Sequence, residues 1–298
     1  MKNNNDPRLR DLISAEPAVE TSVRIIGFPS DAGVQINGGR PGASHAPEPI
    51  FEQLLKLTPH AHWYERHSEL LSRTCGITML SCTGHVEKDQ ENLGNTVAAC
   101  LQKGIMPIII GGGHETSFGH FLGYAGDGQS VRILNLDAHA DVRPLKDGKA
   151  HSGSPFRQAL EHPSKSCHSY SVFGLNPASV SADHFRYVSE NGMAVYEDDL
   201  KRSGVRKWFE LAAIDGMPVM ATMDMDLVNH AGAPGVSTPN SSGITTRKWL
   251  RLAFELGRQP AVSSFDLCEV NPVCDRDGQT VRLAALTIWN FLLGVTLR

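Results

Sequence analysis

Short apolar runs alternate along the chain with longer stretches whose hydrophobic residues recur at helical spacing. VRIIGF (23–28), MPIII (106–110), VRILNL (131–136), YSVFGL (170–175), MAVY (193–196), VMATMDMD (219–226) and AVSSFDL (261–267) are short, nearly continuous apolar runs that end near Gly or Asp. Strands covered on both faces have this pattern. Between them, PEPIFEQLLKL (47–57), ENLGNTVAACLQKG (91–104), VRKWFELAAIDG (205–216), TTRKWLRLAFELG (245–257) and TVRLAALTIWNFLLG (280–294) suit helices. A β–α alternation of this kind predicts an α/β fold with a mostly parallel, doubly wound sheet. There is no internal repeat and no Pro/Ser linker, so residues 1–298 read as one domain, with 1–20 as a polar N-terminal extension.

Bulk properties narrow the function classes. With 298 residues, 41% of them hydrophobic, the chain can bury a large core without disulfides. Net charge is −4, with 28 basic against 32 acidic residues. No basic run marks a nucleic-acid face or a membrane patch. No segment approaches the roughly 20 apolar residues that cross a bilayer, and the polar N-terminus does not read as a signal peptide. A cytoplasmic protein acting on a small molecule is the expectation. The six cysteines show no CxxC pairing and read as reduced, mostly buried thiols.

Candidate chemistry collects where strands end, as ligands do in open parallel sheets. MPIII runs into GGGHE and presents His114; VRILNL runs into Asp137, His139 and Asp141; VMATMDMD delivers Asp224 and Asp226; AVSSFDL delivers Asp266 and, three residues on, Glu269. Residues two apart on an extended chain point to one side, which groups Asp137 with His139 and Asp141, and Asp224 with Asp226. Taken singly, each has a plain alternative: a hydrogen-bonded loop histidine, or an Asp pair in a turn. The strongest candidates are two histidines, His114 and His139, and four carboxylates, Asp137, Asp141, Asp224 and Asp226, and the four carboxylates would repel one another unless protonated or neutralised by about two divalent cations. Oxygen and imidazole donors without thiolate favour Mn2+ or a similar ion. Such a pair can share a water and lower its pKa towards neutrality. His60, His62 and His67 in PHAHWYERH read as a solvated surface segment.

GGGHE, NLDAHADVR, HSGSPF, ATMDMD and SFDLCEVNP, in this order, resemble the successive signature segments of the ureohydrolases: arginases, agmatinases and formimidoylglutamases. The resemblance runs from about residue 23 to the C-terminus. It implies a three-layer α/β/α fold and a binuclear manganese centre, two Mn2+ per subunit, that hydrolyses C–N bonds of guanidino or formimino groups. It also implies that His114, Asp137, Asp141 and Asp224 hold one ion and that Asp137, His139, Asp224 and Asp226 hold the other. By the same resemblance Glu269 binds the amidinium nitrogens and His151 shuttles protons to solvent; Asp141, or a nearby carboxylate, is expected to take a proton from the attacking water. A homotrimer or homohexamer is the implied assembly.

Within the family, DVRP followed by SGSPFRQ, and later EVNPVCDRDGQTVRLAA, most resembles formimidoylglutamase. N-formimino-L-glutamate has two carboxylates, which suit bidentate Arg forks. Arg143, Arg157 and Arg40 are the candidate anchors, each with a surface ion pair as its plain alternative. The competing expectations are another ureohydrolase that releases urea, a two-metal phosphoesterase, and a non-catalytic metal-binding relative.

Overall fold

Alternate residues of each strand turn to opposite faces, and both faces are apolar, so the sheet must be covered twice. On β1 (Val23–Phe28), Val23 and Ile25 pack into one hydrophobic layer and Ile26 and Phe28 into the other. On β4 (Val131–Leu136), Leu134 and Leu136 face the first layer, Val131 and Ile133 the second. Helices Pro47–Leu55, Thr246–Gly257 and Gln279–Thr296 supply the first layer through Ile50, Trp249 and Phe291. Helices Val86–Leu101, Thr116–Asp127 and Pro155–Glu161 supply the second through Leu93, Phe121 and Phe156. The result is a three-layer α/β/α fold. This computed structural model describes residues 6–202, 209 and 216–298. The helix expected at 205–216 therefore falls outside the described residues, apart from Phe209 and Gly216.

The remaining strands are β2 (Thr74–Met79), β3 (Met106–Gly111), β5 (Cys167–Leu175), β6 (Gly192–Tyr196), β7 (Val219–Asp224) and β8 (Val262–Cys268). They pair in parallel in the order β2-β1-β3-β8-β7-β4-β5-β6. This order fixes the place of the site. The direction of winding reverses in the middle of the sheet, where a crevice opens beyond the carboxyl ends of the strands. The four central neighbours β3, β8, β7 and β4 are the four strands that run into the polar clusters.

Three parts of the chain differ from or add to the expectation. The described part of the N-terminal extension, residues 6–20, packs onto the fold: Leu9 is fully buried in the core, and the Ser14 carbonyl accepts the Gly76 N–H at 2.7 Å, closing the edge of β2. The PHAHWYERH segment is not wholly solvated, because His67 is fully buried on helix Tyr64–Ser72, edge-on to Trp289 at 5.5 Å. The helix expected at 91–104 starts five residues early, at Val86. There Asp89 reaches back to accept the N–H groups of Thr83 and Gly84 at 2.8 and 2.9 Å, which fixes the entry of the chain.

Candidate metal centre and active site

Each metal-ligand candidate sits at or just past the end of a strand, where the chain leaves the ladder and side chains hold the freed backbone N–H groups. Asp137 Oδ1 accepts the His139 N–H at 2.7 Å, and Asp224 Oδ1 accepts the Asp226 N–H at 2.8 Å. β4 ends at Leu136 and β7 at Asp224, so strand alternation does not itself group these residues. Tight Asx-type turns do it, and the turn reading and the cluster reading hold together. Asp141 and Glu269 adopt left-handed backbone, with φ of 47° and 66°. In Glu269 the conformation is held on both sides. Its N–H donates to the Gly112 carbonyl at 2.8 Å, and its Oε1 accepts the His114 N–H at 2.8 Å.

The side chains converge. His114 Nδ1 lies 2.9 Å from Asp141 Oδ2 and 3.2 Å from both Asp137 Oδ2 and Asp224 Oδ2. His139 Nδ1 lies 3.0 Å from Asp226 Oδ2 and 3.5 Å from Asp137 Oδ1. Among the described residues ligand-type atoms gather in three sets, of which His114/Asp137/Asp141/Asp224 and Asp137/His139/Asp226 share Asp137, while His114 also lies near Asp266 and Cys268. Asp224 is grouped with the first set only. Phe156 meets the His114 ring edge-on at 5.2 Å and stacks on Tyr170 at 4.3 Å, walling the site.

Electrostatics shows what the cluster needs. Burial, with the charges of Asp226 and Asp137, drives Asp224 well above the usual carboxylate range. Burial pushes Asp226 up to about 6 against the pull of His139. Asp137 goes the other way: burial opposes its ionisation, but His114 and His139 hold it below the ordinary range. Burial disfavours a charged His114, yet its three carboxylate neighbours raise it far above normal, and the charge of Asp226 does the same for His139. So many buried carboxylates demand positive charge among them. Asp226 Oδ1 is buried without any hydrogen-bond partner, an oxygen with a lone pair to give. An all-oxygen-and-imidazole set of this kind fits hard divalent cations.

A cavity of about 190 Å3 opens above the cluster, with His139, Asp141, Asp224, Asp226 and Glu269 on its walls. Asn37, Arg143, Ser152, Ser237 and Thr238 line it further out. Arg143 Nη1 donates to Asn37 Oδ1 at 3.0 Å, and Asn37 Nδ2 donates to Ser152 Oγ at 3.1 Å. The other two candidate arginines do not line this cavity. Arg157 donates to the Val142 carbonyl at 2.7 Å, pairs with Glu161 at 3.1 Å and stacks over Tyr187. Arg40 donates to the carbonyls of Ser237 and Val236 at 3.0 and 2.6 Å and so staples the segment that holds Ser237 and Thr238. His151 is buried beneath the 143–153 loop. Its Nε2 meets the Pro144 carbonyl at 3.0 Å, its Nδ1 accepts the Gly153 N–H at 3.1 Å, and burial lowers its pKa. Asn37 and Ser152 escaped sequence reading because an Asn before two glycines and a Ser-Gly pair look like ordinary turn residues.

The pattern of the arginase family matches residues 21–294. The chain belongs to the arginase family. Within that family, the formimidoylglutamase of Geobacillus thermodenitrificans (strain NG80-2) is 35% identical over 296 residues, covering 96% of this chain and 88% of the relative. That of Geobacillus kaustophilus (strain HTA426) is 36% identical over 297 residues, with 96% and 88% covered. The crystal structure of Trypanosoma cruzi formiminoglutamase with Mn2+ superposes at a TM-score of 0.90, with 29% identity over 99% of this chain and 100% of that one. No helix among the described residues of this arginase-family chain is long and apolar enough to cross a membrane.

Proposed function

We propose that this arginase-family protein is a manganese-dependent hydrolase that converts N-formimino-L-glutamate and water to L-glutamate and formamide. The observation that carries the reading is the double donor cluster at the base of a small cavity with a guanidinium, Arg143, in its outer wall. The named relatives support the substrate. His114, Asp137, Asp141 and Asp224 hold one Mn2+, and Asp137, His139 and Asp226, with Asp224 beside them, hold the second. Bound there, the ions supply Lewis acidity and a nucleophile at neutral pH.

The chain's own residues do the rest. Arg143, fixed by Asn37, anchors a substrate carboxylate by charge-assisted hydrogen bonds. Glu269 presents its carboxylate to the cationic amidinium N–H groups and orients the electrophilic carbon. Burial and the nearby Asp224 raise its pKa, so it ionises most readily opposite a cation. Asp141, whose side chain is 13% exposed at the cavity wall, accepts the proton released on attack and passes it to the departing nitrogen. Arg157 and Arg40 serve by holding the 142–161 and 236–238 segments. A proton-shuttle role for His151 requires its Pro144 bond to open. Two ions per chain, an assembly of three or six chains and a cytoplasmic location complete the proposal.

The test is a panel of formimino and guanidino substrates offered to manganese-loaded enzyme. Formamide and glutamate from formiminoglutamate are expected. Urea from arginine, agmatine or a guanidino acid, with formiminoglutamate inert, would overturn the substrate assignment.

A further inference from the structure

Helix Thr116–Asp127 packs against the sheet with a polar stripe, Ser117, His120 and Tyr124, on an otherwise apolar face. Beneath it lie Thr222 on β7 and Ser264 and Asp266 on β8, with Thr222 paired to Asp266 across the strands. All six are essentially inaccessible to solvent. Buried polar groups are tolerated where each finds a partner, and here they form one continuous chain. His114 Nε2 meets Thr222 Oγ1 at 3.0 Å, and Thr222 Oγ1 donates to Asp266 Oδ1 at 2.6 Å. His120 Nδ1 meets Asp266 Oδ2 and His120 Nε2 meets Ser264 Oγ, both at 2.6 Å. Tyr124 Oη lies 2.6 Å from Ser264 Oγ and 2.6 Å from Ser263 Oγ.

Proton counting gives the chain a direction. Asp266 Oδ1 accepts the Thr222 hydroxyl and Oδ2 faces His120 Nδ1 at 2.6 Å, so both oxygens act as acceptors. Thr222 has one hydroxyl proton and gives it to Asp266, so the contact with His114 is a bond only if His114 Nε2 donates. On the other side His120 donates from Nδ1, which leaves its Nε2 to accept from Ser264. Ser264 in turn accepts from Tyr124, whose hydroxyl burial pushes up to about 12 and keeps protonated. Every donor from either end points towards Asp266. The consequence for His114 is a hydrogen fixed on Nε2 and a lone pair on Nδ1, aimed among Asp137, Asp141 and Asp224. Asp266 and Cys268 also lie close to His114, but both Asp266 oxygens are already taken by hydroxyl and imidazole donors.

We propose that His120, acting through Asp266 and the Thr222 hydroxyl, is a positioning residue that sets the tautomer and ring orientation of His114 for cation binding. The proposal rests on the reading of His114 as a metal ligand. Partners of this outer kind are worth about 10- to 100-fold in metal affinity. His139 lies outside the chain of bonds, so the two ion sites respond differently.

Wild type, His120→Leu, His120→Asn and Thr222→Val are titrated with Mn2+ alone, following free Mn2+ by electron paramagnetic resonance, with circular dichroism as the fold control. Two binding steps are expected in the wild type. One of them weakens by about 10- to 100-fold in His120→Leu and in Thr222→Val, while the other is unchanged. His120→Asn, whose amide N–H can replace the Nδ1 donor to Asp266, recovers most of the loss. Thr222→Val is nearly isosteric and decides the matter even if His120→Leu does not fold. Two unchanged steps in Thr222→Val, or an equal loss in both, overturn the positioning role. No Mn2+ binding by the wild type overturns the metal reading itself.

Discussion

Replacing Arg143 by Ala separates binding from chemistry. Its guanidinium lines the cavity wall and spends one N–H on Asn37 Oδ1 at 3.0 Å, which leaves further donors for a carboxylate. A hydrogen bond to a charged partner contributes about 1.5–3 kcal/mol. Arg143 is exposed, so solvent screens the interaction and the lower end applies, about 1.5–2 kcal/mol, or roughly 10- to 30-fold. Because the contact is to the carboxylate end, the same in ground and transition states, the loss appears in KM with kcat nearly unchanged. Arg143→Lys keeps the charge without the fork and falls between. Asn37→Ala leaves the guanidinium loose and costs less, about 0.5–1 kcal/mol. The assay is steady-state formamide release from formiminoglutamate at saturating Mn2+, repeated at low and high salt. An unchanged KM in Arg143→Ala, or a drop confined to kcat, would refute the anchor.

Asp224→Ala removes a ligand from the most crowded part of the cluster. The number of Mn2+ bound per chain, measured by mass spectrometry, falls below the wild-type value, and turnover falls by more than the ~100-fold that an outer partner is worth. His67 is neutral in the fold, its pKa lowered by burial to about 4, whereas it titrates near 6.5 when unfolded. The unfolded chain therefore binds the extra proton first: stability is whole above about pH 6.5 and declines as pH falls towards 4. Between pH 7 and 4.5, wild type loses about 2–3 kcal/mol more than His67→Phe in urea unfolding, and parallel losses in the two proteins would remove His67 from the account. At Gly112 a Cβ would sit 1.9 Å from the Ser30 carbonyl oxygen, the same oxygen that accepts the Gly113 N–H. Gly112→Ala is expected to cost about 1–3 kcal/mol, read in the thermal midpoint, and to weaken Mn2+ binding because His114 follows this turn.

The sheet centre was legible in the sequence because burial on both faces leaves a nearly unbroken apolar run. VRIIGF and VRILNL match β1 and β4 end to end. β2, TCGITM, is not legible: at the sheet edge its last three residues are half-buried or exposed, so its pattern is mixed. Helix Thr116–Asp127 was missed for the opposite reason, since its buried face carries Ser117, His120 and Tyr124, which break the apolar periodicity. The ligand candidates were legible because several Asp and His residues fall together at the ends of apolar runs, although each taken singly has a plain alternative. The arginines were not, because a long flexible side chain can end on any acceptor within reach. Arg40 and Arg157 end on backbone carbonyls.

Buried charge and backbone strain meet at the same site, on neighbouring residues, which ties the architecture to the chemistry. Asp141 and Glu269 hold left-handed backbone at a cost of order 1–3 kcal/mol each, and Asp224 and Asp226 are buried where burial itself opposes their charge. Neighbouring structure keeps the strained turns in place. The Asp141 carbonyl accepts the Phe156 N–H at 3.2 Å, and Glu269 is pinned between Gly112 and His114. Those bonds offset the strain but not the charge, because they satisfy N–H groups and add no cation. The central sheet thus stabilises an arrangement whose remaining unfavourable term is electrostatic, and divalent cations bound there would relieve it. A core that only had to fold could have placed apolar residues at these strand ends at less cost. Carboxylates and imidazoles on four adjacent strands are therefore better explained by what they bind than by what they hold together.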